Sequence, residues 1–419
     1  MLDSLKNALK IDELRRKIMF TLGMIFVFRL GAHLPVPGVN AQVFADLVNS
    51  NALFGFFDVI SGGSFKRFSI FAMSITPYIN ASIIMQLLTV VIPKLERLAK
   101  EGEEGRKKIT QYTRYLTVVL AFIQAIGTSV ALRNALIHPT VWHYLLVAIT
   151  ITAGTTLLMW IGEQITEKGI GNGISLIIFA GIVSRLPGAF ANIVEYLRAG
   201  TINIFSVLLL VVIGTVVIAC IVIVQQGQRR IPVQYAKRVV GRRVYGGQST
   251  HLPLRVNQAG VIPIIFASSI LMFPEQIARW FTGSTVAEWY LAVFAWGHPL
   301  NTLFYGLLII GFTYFYTAVI MNPADISDNI KKYGGFIPGI RPGRPTTEYI
   351  SRVMSRITLA GAVFLALIAI LPNFVMVATR IPNISFGGTA LLIAVGVALD
   401  TMKQIESHML MRSYQGFIK

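Results

Sequence analysis

Apolar residues occur along this chain of 419 residues in ten long runs, separated by shorter polar or charged segments. A helix needs about 20 mostly apolar residues to cross the hydrocarbon core of a bilayer. The ten runs approach that length, and the pattern predicts an all-α polytopic membrane protein with ten transmembrane helices. The runs cover approximately residues 18–34, 71–92, 115–132, 145–161, 174–186, 204–224, 260–273, 302–321, 357–376 and 388–402.

The composition supports this class, because 54% of the residues are hydrophobic and only 13% are charged. A soluble globular domain carries about 25% charged residues. Cys220 is the single cysteine, which excludes an intramolecular disulfide. The chain has no G-x-x-x-x-G-K-[ST] motif, no H-E-x-x-H motif and no Cys/His cluster with metal spacing. The sequence therefore predicts no cofactor, no metal and no enzymatic activity.

The basic residues fix the orientation that the sequence predicts. Of the 37 Lys and Arg residues, 29 fall on one side of the ten-run pattern, 7 fall on the other and Arg29 lies in the first run. Loops facing the cytoplasm carry such an excess of positive charge. We therefore expect a multi-pass protein of the cell membrane with both termini in the cytoplasm.

The ten runs divide into five and five near residue 200. Since five is an odd number, a second half that resembles the first would lie inverted in the membrane, as in many transport proteins. The sequence predicts an N-terminal half at 1–200 and a C-terminal half at 201–419. Sequence repetition between the halves is not evident, so the pseudo-symmetry is a hypothesis.

The segment 51–69 is too apolar for an ordinary loop and too short to span a membrane. Gly55, Gly62 and Gly63 would interrupt a helix in it, while its phenylalanines require burial. Irregular backbone at membrane depth is tolerated where protein buries it or where it lines a cavity. Two interpretations remain: a helix that lies on the outer leaflet, or a re-entrant half-helix in a central vestibule.

Two loops on the predicted cytoplasmic side, 225–258 and 322–356, are long and basic. In the first, residues 230–236 and 242–245 resemble the two strands of a β-hairpin around Gly241, followed by Gly246, Gly247 and Pro253. Attraction to anionic membrane lipids explains part of this charge. We also expect a docking platform for a negatively charged partner. The basic residues concerned are Arg229, Arg230, Lys237, Arg238, Arg242, Arg243, Lys331, Lys332, Arg341 and Arg344.

A secondary transporter of small solutes is the main alternative function. Ion-coupled transporters carry acidic or histidine side chains at mid-membrane depth. Here Arg29 lies late in the first run, and Glu163 and Asp400 lie near the ends of others. A membrane-embedded enzyme would need a catalytic cluster at one depth, which the sequence does not offer. Both alternatives are therefore weaker than a passive channel.

Recognisable motifs occur along nearly the whole chain. They are RLGAHLPVPGV (29–39), ISGGS (60–64), SITPYINASIIMQLL (74–88), KEGEEGRKKITQYTRY (100–115), GEQITEKGIGNGIS (162–175), GQRRIPVQYAKR (227–238), QSTHLPLRVNQAGVIPIIFASS (248–269), NPADISDNIKKYGGFIPGIRPG (322–343) and FGGTALLI (386–393). These motifs resemble those of the SecY family, the channel subunits of the bacterial protein translocase. The similarity runs collinearly from about residue 15 to 402, whereas segments 133–143 and 281–300 match no motif and their roles remain open.

The resemblance implies two five-helix halves that close around an hourglass-shaped pore. A re-entrant plug at about 54–66 would block the outer vestibule, and it favours the second interpretation of this segment. The implied plug residues are Phe54, Gly55, Phe56, Phe57, Asp58, Val59, Ile60, Ser61, Gly62, Gly63, Ser64 and Phe65. A lateral gate would open between the second run, together with the third, on one side and the seventh and eighth runs on the other side. The residues implied at this gate are Ile83, Gln86, Leu87, Ser268 and Ser269.

The family also has a ring of aliphatic side chains at its constriction. Matching the motifs implies that Ile75, Ile79, Ile174, Ile178, Ile265 and Ile393 form it. Residues 75 and 79, and residues 174 and 178, are four apart, which puts each pair on one face of a helix. A narrow apolar ring excludes water and ions and can still yield to an extended polypeptide.

The resemblance further implies the partners. The two basic loops would bind the motor ATPase SecA or the ribosome, with Arg341 important for motor-driven export. SecE and SecG-like small membrane subunits, signal peptides, nascent chains and membrane lipids complete the expected contacts. The sequence leaves open which proteins are exported, which of the two large partners is engaged at a given time, and whether the complex works as a monomer or a dimer.

Overall fold

The computed structural model describes residues 10–40, 42, 44, 58, 61–131, 136–137, 139–235, 238–240, 243–245, 249–280, 284–294, 298–379 and 388–416. The strands are β1 (Gln228–Tyr235), β2 (Arg238–Val240), β3 (Arg243–Tyr245), β4 (Ser249–Arg255) and β5 (Gly335–Phe336). The helices are α1 (Asp12–Gly31), α2 (Thr76–Val91), α3 (Pro93–Lys100), α4 (Glu103–Ala131), α5 (Val141–Lys168), α6 (Gly173–Ser184), α7 (Leu186–Arg198), α8 (Ile204–Gln226), α9 (Ile262–Trp280), α10 (Thr285–Val293), α11 (Pro299–Ile320), α12 (Pro323–Lys332), α13 (Arg344–Thr379) and α14 (Gly388–Gly416).

Each of the ten predicted runs corresponds to a helix, namely α1, α2, α4, α5, α6, α8, α9, α11, α13 and α14. Within the described residues, 7 helical segments are long and apolar enough to cross a membrane by themselves. The bent pair α2 and α3 makes an eighth, and α9 contains the shorter apolar helix Ile262–Leu271. The predicted all-α membrane architecture is confirmed, and the ten-helix count is consistent with it.

The predicted start of the second membrane helix, at residue 71, was wrong. Residues 61–75 form consecutive turns, and α2 starts only at Thr76 with Pro77 in its first turn. Proline favours the first turn of a helix and disfavours helical backbone in the residue before it. At its other end α2 stops before Pro93, where the chain bends by 100° into the short amphipathic helix α3.

The helices pack into two groups that meet along two seams. In the first group α5 packs on α1, α4 and α6, and α2 packs on α4. In the second group α13 packs on α8, α11 and α14, and α9 packs on α11. Between the groups, α9 contacts α2 and α4 at one seam, and α14 contacts α6 at the other. A single large hydrophobic cluster contains residues from both groups and fills the space between the seams.

The two basic loops fold together as one unit. Strands β4, β1 and β5 form an antiparallel sheet in that order, so loop 322–356 adds a strand to loop 225–258. Along β1 the exposed and buried residues alternate, and the buried face packs on α12 and the start of α13. The residues of this small core are Ile231, Val233, Leu254, Ile330, Ile337, Ile350 and Met354. The predicted β-hairpin region is therefore present as part of a larger platform.

The strand pairing predicted within this loop was wrong. Strand β1 pairs with β4, with Arg230 opposite Pro253, and not with residues 242–245. The latter residues belong to β3, which pairs with β2 in a separate small hairpin. Pro253 suggested a break, but β4 is an edge strand of the sheet, where proline is tolerated because one side of the strand needs no partner.

Candidate functional site

The six isoleucines predicted to form a constriction all belong to the large cluster between the two groups of helices. Four are buried, with exposed fractions of 0% for Ile75, 8% for Ile79, 2% for Ile178 and 4% for Ile393. Ile174 and Ile265 are partly buried and pack against the same cluster. They come from α2 and its N-cap, from α6, from α9 and from α14, so both groups of helices contribute. This places them in the shared interior, whereas the ring itself stays a prediction.

The start of α2 holds one of these side chains in a constrained position. Ile75 is the N-cap of α2, and Ser74 before it has a φ angle of 53°, a left-handed conformation that is rare outside glycine. The amide of Ile79 donates to the carbonyl of Ile75 over 3.1 Å, so both residues belong to the same first turn. The hydroxyl of Ser74 is buried without a hydrogen-bond partner in the described residues. Such strain persists only where the surrounding packing fixes the backbone.

The segment predicted as a plug is described only in part. Phe54, Gly55, Phe56, Phe57, Val59 and Ile60 lie outside the described residues. Asp58 is helical, whereas Ser61, Gly62, Gly63, Ser64 and Phe65 are turn residues, so a helix does not extend through 61–65. Asp58, Ser61, Ser64 and Phe65 are at most 5% exposed. The described part is thus buried in protein, which argues against a helix lying on the membrane surface.

Two arginines contact this segment, an arrangement that the sequence did not predict. Arg185, at the junction of α6 and α7, forms an ion pair with the carboxylate of Asp58. Arg29, near the end of α1, donates to the carbonyl oxygen of Gly62 over 3.0 Å and to the hydroxyl of Ser184 over 3.0 Å. The only sequence signal was the presence of a charged residue within an apolar run. The residues that it contacts are 33 and 155 positions away.

The residues predicted at a lateral gate lie on α2 and α9, which pack together at one seam. Ile83, Ser268 and Ser269 are buried, and Gln86 and Leu87 are partly exposed. Gln86 donates to Ser82 over 3.4 Å, and Ser268 donates to the carbonyl of Ile265 over 2.9 Å. Both of these hydrogen bonds stay within one helix. The lateral gate itself stays a prediction.

The basic residues of the platform point into solvent wherever their side chains are described. Arg229 and Arg230 are exposed on β1, and Lys331 and Lys332 are exposed at the end of α12. Arg344 is also exposed and pairs with Glu348 over 3.1 Å. Lys237 and Arg242 lie outside the described residues, and only the backbone of Arg238 and Arg243 is described, in β2 and β3. The described charges of the folded platform thus all face solvent.

Arg341 lies in a loop whose backbone is held at several points. Gly339 and Gly343 have φ angles of +81° and +100°, which favour glycine at both positions. The carbonyl of Arg341 accepts a hydrogen bond from Thr346 over 2.9 Å, and that of Gly343 accepts one from Ser327 over 3.0 Å. The side chain of Arg341 is exposed. A rigid turn therefore presents this guanidinium to solvent.

The bend between α2 and α3 brings further charge to this side of the molecule. On α3, Lys100 donates to Glu96 over 2.6 Å. This hydrogen bond lowers the pKa of Glu96 and raises the pKa of Lys100, and Asp325 on α12 raises the pKa of Lys100 further.

Among the described residues, no group of three His, Cys, Asp or Glu could hold a metal ion.

Comparisons with known proteins identify relatives along the entire chain. A family model described as SecY matches residues 69–402. A protein translocase subunit SecY from Halalkalibacterium halodurans is 52% identical over 432 residues, covering 100% of both chains.

Solved structures have a similar fold. One is a SecY structure whose plug domain is described as stabilising the closed state of the translocation channel. It matches with a TM-score of 0.66 and 20% identity, covering 94% of this chain and 92% of that one. Another, of Sec61 in the canine ribosome-channel complex from the endoplasmic reticulum, matches with a TM-score of 0.63 and 19% identity, again covering 94% and 92%.

Proposed function

The chain belongs to the SecY family of protein translocase subunits, and we propose how its parts act together as a protein-conducting channel. Signal-bearing, unfolded polypeptides pass between the two groups of helices, and hydrophobic segments leave sideways into lipid. The observation that carries this proposal is the packing between the groups. They meet at two seams around one apolar cluster, so separating one seam opens a path through the protein.

The closed state depends on the six isoleucines in that cluster. Side chains from α2, α6, α9 and α14 converge on the interior from both groups. Apolar walls offer no hydrogen bonds to water or ions, so a narrow ring of such side chains resists ion flow. A translocating polypeptide displaces the side chains and fills the gap with its own bulk.

The segment 54–66 acts as the plug above this ring. The burial of its described residues against α6 supports this role, as does the likeness to a SecY structure whose plug domain maintains a membrane seal. Removing the plug should leave a channel that exports protein but leaks.

The lateral gate lies at the seam where α9 meets α2 and α4. The two named side chains there, Gln86 and Ser268, make their hydrogen bonds within their own helices, so parting the seam breaks neither bond. A hydrophobic signal sequence can replace the apolar contacts that α9 and α2 lose. This exchange of one apolar partner for another lowers the cost of opening by a signal sequence.

The basic platform is the docking surface for the partners that drive transport. A ribosome would be recognised through RNA phosphates, and a motor ATPase of the SecA type through acidic and polar surface. The likeness to a ribosome-bound channel supports the first partner, and the exposed arginines on rigid backbone suit both. Small membrane subunits of the SecE and SecG type complete the complex.

Both termini and the platform face the cytoplasm in this proposal, and the protein lies in the cell membrane. The test uses a Cys220→Ser background with single cysteines at the exposed positions Glu104, His251 and Tyr333. These should react with an impermeant thiol reagent only after the cells are opened. A cysteine at Thr201, in the loop after α7, should react in intact cells and serves as the matched control. Labelling of His251→Cys in intact cells would overturn the orientation.

The function itself is tested by reconstitution. The protein and its small subunits are placed in liposomes with a SecA-type ATPase, ATP and a preprotein. We expect protease-protected preprotein inside the vesicles that depends on ATP and on the signal sequence. A solute transporter would instead accumulate a small molecule on an ion gradient and leave the preprotein outside, and that result would refute the channel.

A further inference from the structure

Around Asp58 the structure contains a polar contact network that the apolar seal does not require. The carboxylate is 1% exposed and pairs with Arg185, whose side chain is 27% exposed. Its other oxygen accepts the amide of Lys66 over 2.7 Å, and the backbone carbonyl of Asp58 accepts the amide of Gly63 over 2.9 Å. A single buried side chain thus organises the turn that follows it and also ties this turn to the α6–α7 junction.

A second contact, made by Arg29, fixes the same turn. Its guanidinium bridges the carbonyl of Gly62 and the hydroxyl of Ser184, the last residue of α6. Gly62 lies so close to α6 that a Cβ on it would come within 2.7 Å of the Cα of Gly181, and its φ angle is +66°. The turn therefore packs directly on the end of α6, where Arg29 bonds Ser184 and Arg185 pairs with Asp58.

We propose that the Asp58–Arg185 ion pair, supported by Arg29, is a latch that holds Asp58 and the turn at residues 61–66 against α6 and must break when the channel opens. This rests on the proposed function of that segment as the plug. A buried carboxylate is costly unless it is paired and hydrogen-bonded. Leaving α6 therefore requires that Asp58 and Arg185 part and become hydrated together, which makes the docked and released positions two distinct states.

The residues that hold the latch show which movement of the channel it opposes. Arg29, Ser184 and Arg185 all belong to the first group of helices, and none belongs to the second. Parting α9 from α2 and α4 consequently leaves these contacts intact. The latch is thus a barrier separate from the lateral gate, and weakening it should release the plug without a signal sequence at the gate.

The first test neutralises the pair. Asp58→Asn and Arg185→Gln should each raise the resting ion conductance of the reconstituted channel by at least about tenfold, because removing one partner of a buried pair leaves the other charge unpaired and destabilises the docked position. The double variant should leak no more than the worse single variant, because neither charge is then left unpaired. The matched control is Glu163→Gln, which removes the partner of Arg114 in an ion pair of 2.8 Å between α4 and α5 and should not leak. Equal leakage from the control would overturn the latch.

The second test distinguishes a latch from a contact that only stabilises the fold. In the Cys220→Ser background, Asp58→Cys and Arg185→Cys are joined by a short, reducible thiol cross-linker. The cross-linked channel should lose export, and reduction should restore it. Full export by the cross-linked protein would overturn the proposal.

A separate deletion shows which hypothesis fails. Deleting residues 55–65 tests the plug itself. If the deletion variant leaks while Asp58→Asn stays sealed, the plug function is supported and the latch is refuted. If the deletion variant does not leak, the plug function of this segment is refuted, and the latch is refuted as well.

Discussion

Replacing Ile393 by Asn is a direct test of the apolar constriction. Ile393 lies on α14, is 4% exposed and belongs to the cluster between the two groups of helices. An amide buried there without a partner costs about 1–3 kcal/mol by mutational estimates. In an open channel the same amide is hydrated, so the penalty falls on the closed state alone. We expect the ratio of closed to open channels to fall by roughly 5–150-fold.

The assay measures export of a reporter protein whose signal sequence is defective. Because less opening energy must come from the signal, the Ile393→Asn channel should accept this reporter, and its resting conductance should rise. Ile393→Val keeps the side chain apolar and should behave almost like the natural protein.

The matched control is Leu392→Asn, at the next position on the same helix. Leu392 is 0% exposed and belongs to the same cluster, but it is outside the predicted ring. Its replacement should lower the yield of folded protein without relaxing the requirement for a signal sequence. If the two asparagine variants behave alike, or if Ile393→Asn still demands an intact signal, the reasoning that places Ile393 in the ring is refuted.

Four other predictions concern the plug and the platform. Deleting residues 55–65 should leave export largely intact but let small ions through the resting channel, measured as vesicle conductance; an unchanged seal would contradict it. Arg341→Glu should abolish ATP-driven export while membrane insertion stays normal, and Arg341→Lys should be measurably impaired because lysine cannot form a bidentate pair. Neutralising Lys331 or Lys332 should cause milder losses that shrink with salt, since exposed charges are screened within about 10 Å at 0.1 M. Ile231→Ala should destabilise the platform by about 2–5 kcal/mol, seen as faster proteolysis of residues 228–255, whereas Arg230→Ala on the exposed face should not.

The membrane helices could be predicted from sequence because the bilayer imposes a simple rule. Hydrocarbon cannot hydrogen-bond to backbone groups, so long apolar runs must be helical to satisfy them. The runs that became α8 and α11 illustrate how directly this works. The rule fails where protein replaces lipid. Phe71, Ala72 and Met73 are as apolar as a membrane span, yet they are buried in consecutive turns before α2. Hydropathy records their burial and not their backbone conformation.

The contacts of single polar residues were beyond the reach of sequence patterns. Arg29 stood out as a charge in an apolar run, but its partners, Gly62 and Ser184, are brought to it only by the packing of α1 against α5 and α6. The pairing of β1 with β4 was missed for a related reason. Whether Pro253 ends a strand depends on whether that strand lies at an edge, and β4 lies at an edge because β5, from the other loop, pairs on the far side of β1.

The two seams between the groups of helices differ in the hydrogen bonds described at them, and this difference bears on the proposed lateral gate. At the α6–α14 seam, the amide of Gly171, just before α6, donates to the side chain of Gln404 on α14 over 2.8 Å. Leu14, Ile170 and Ile405 form a small buried cluster beside this bond that links α1 to α14. At the α9 seam, by contrast, Ser268 and Gln86 bond within their own helices. Separation there breaks neither of these two bonds, whereas separation at the α14 seam leaves the backbone amide of Gly171 without its partner. These contacts are the ones that the proposed function expects if the α9 seam is the gate and the α14 seam is the hinge.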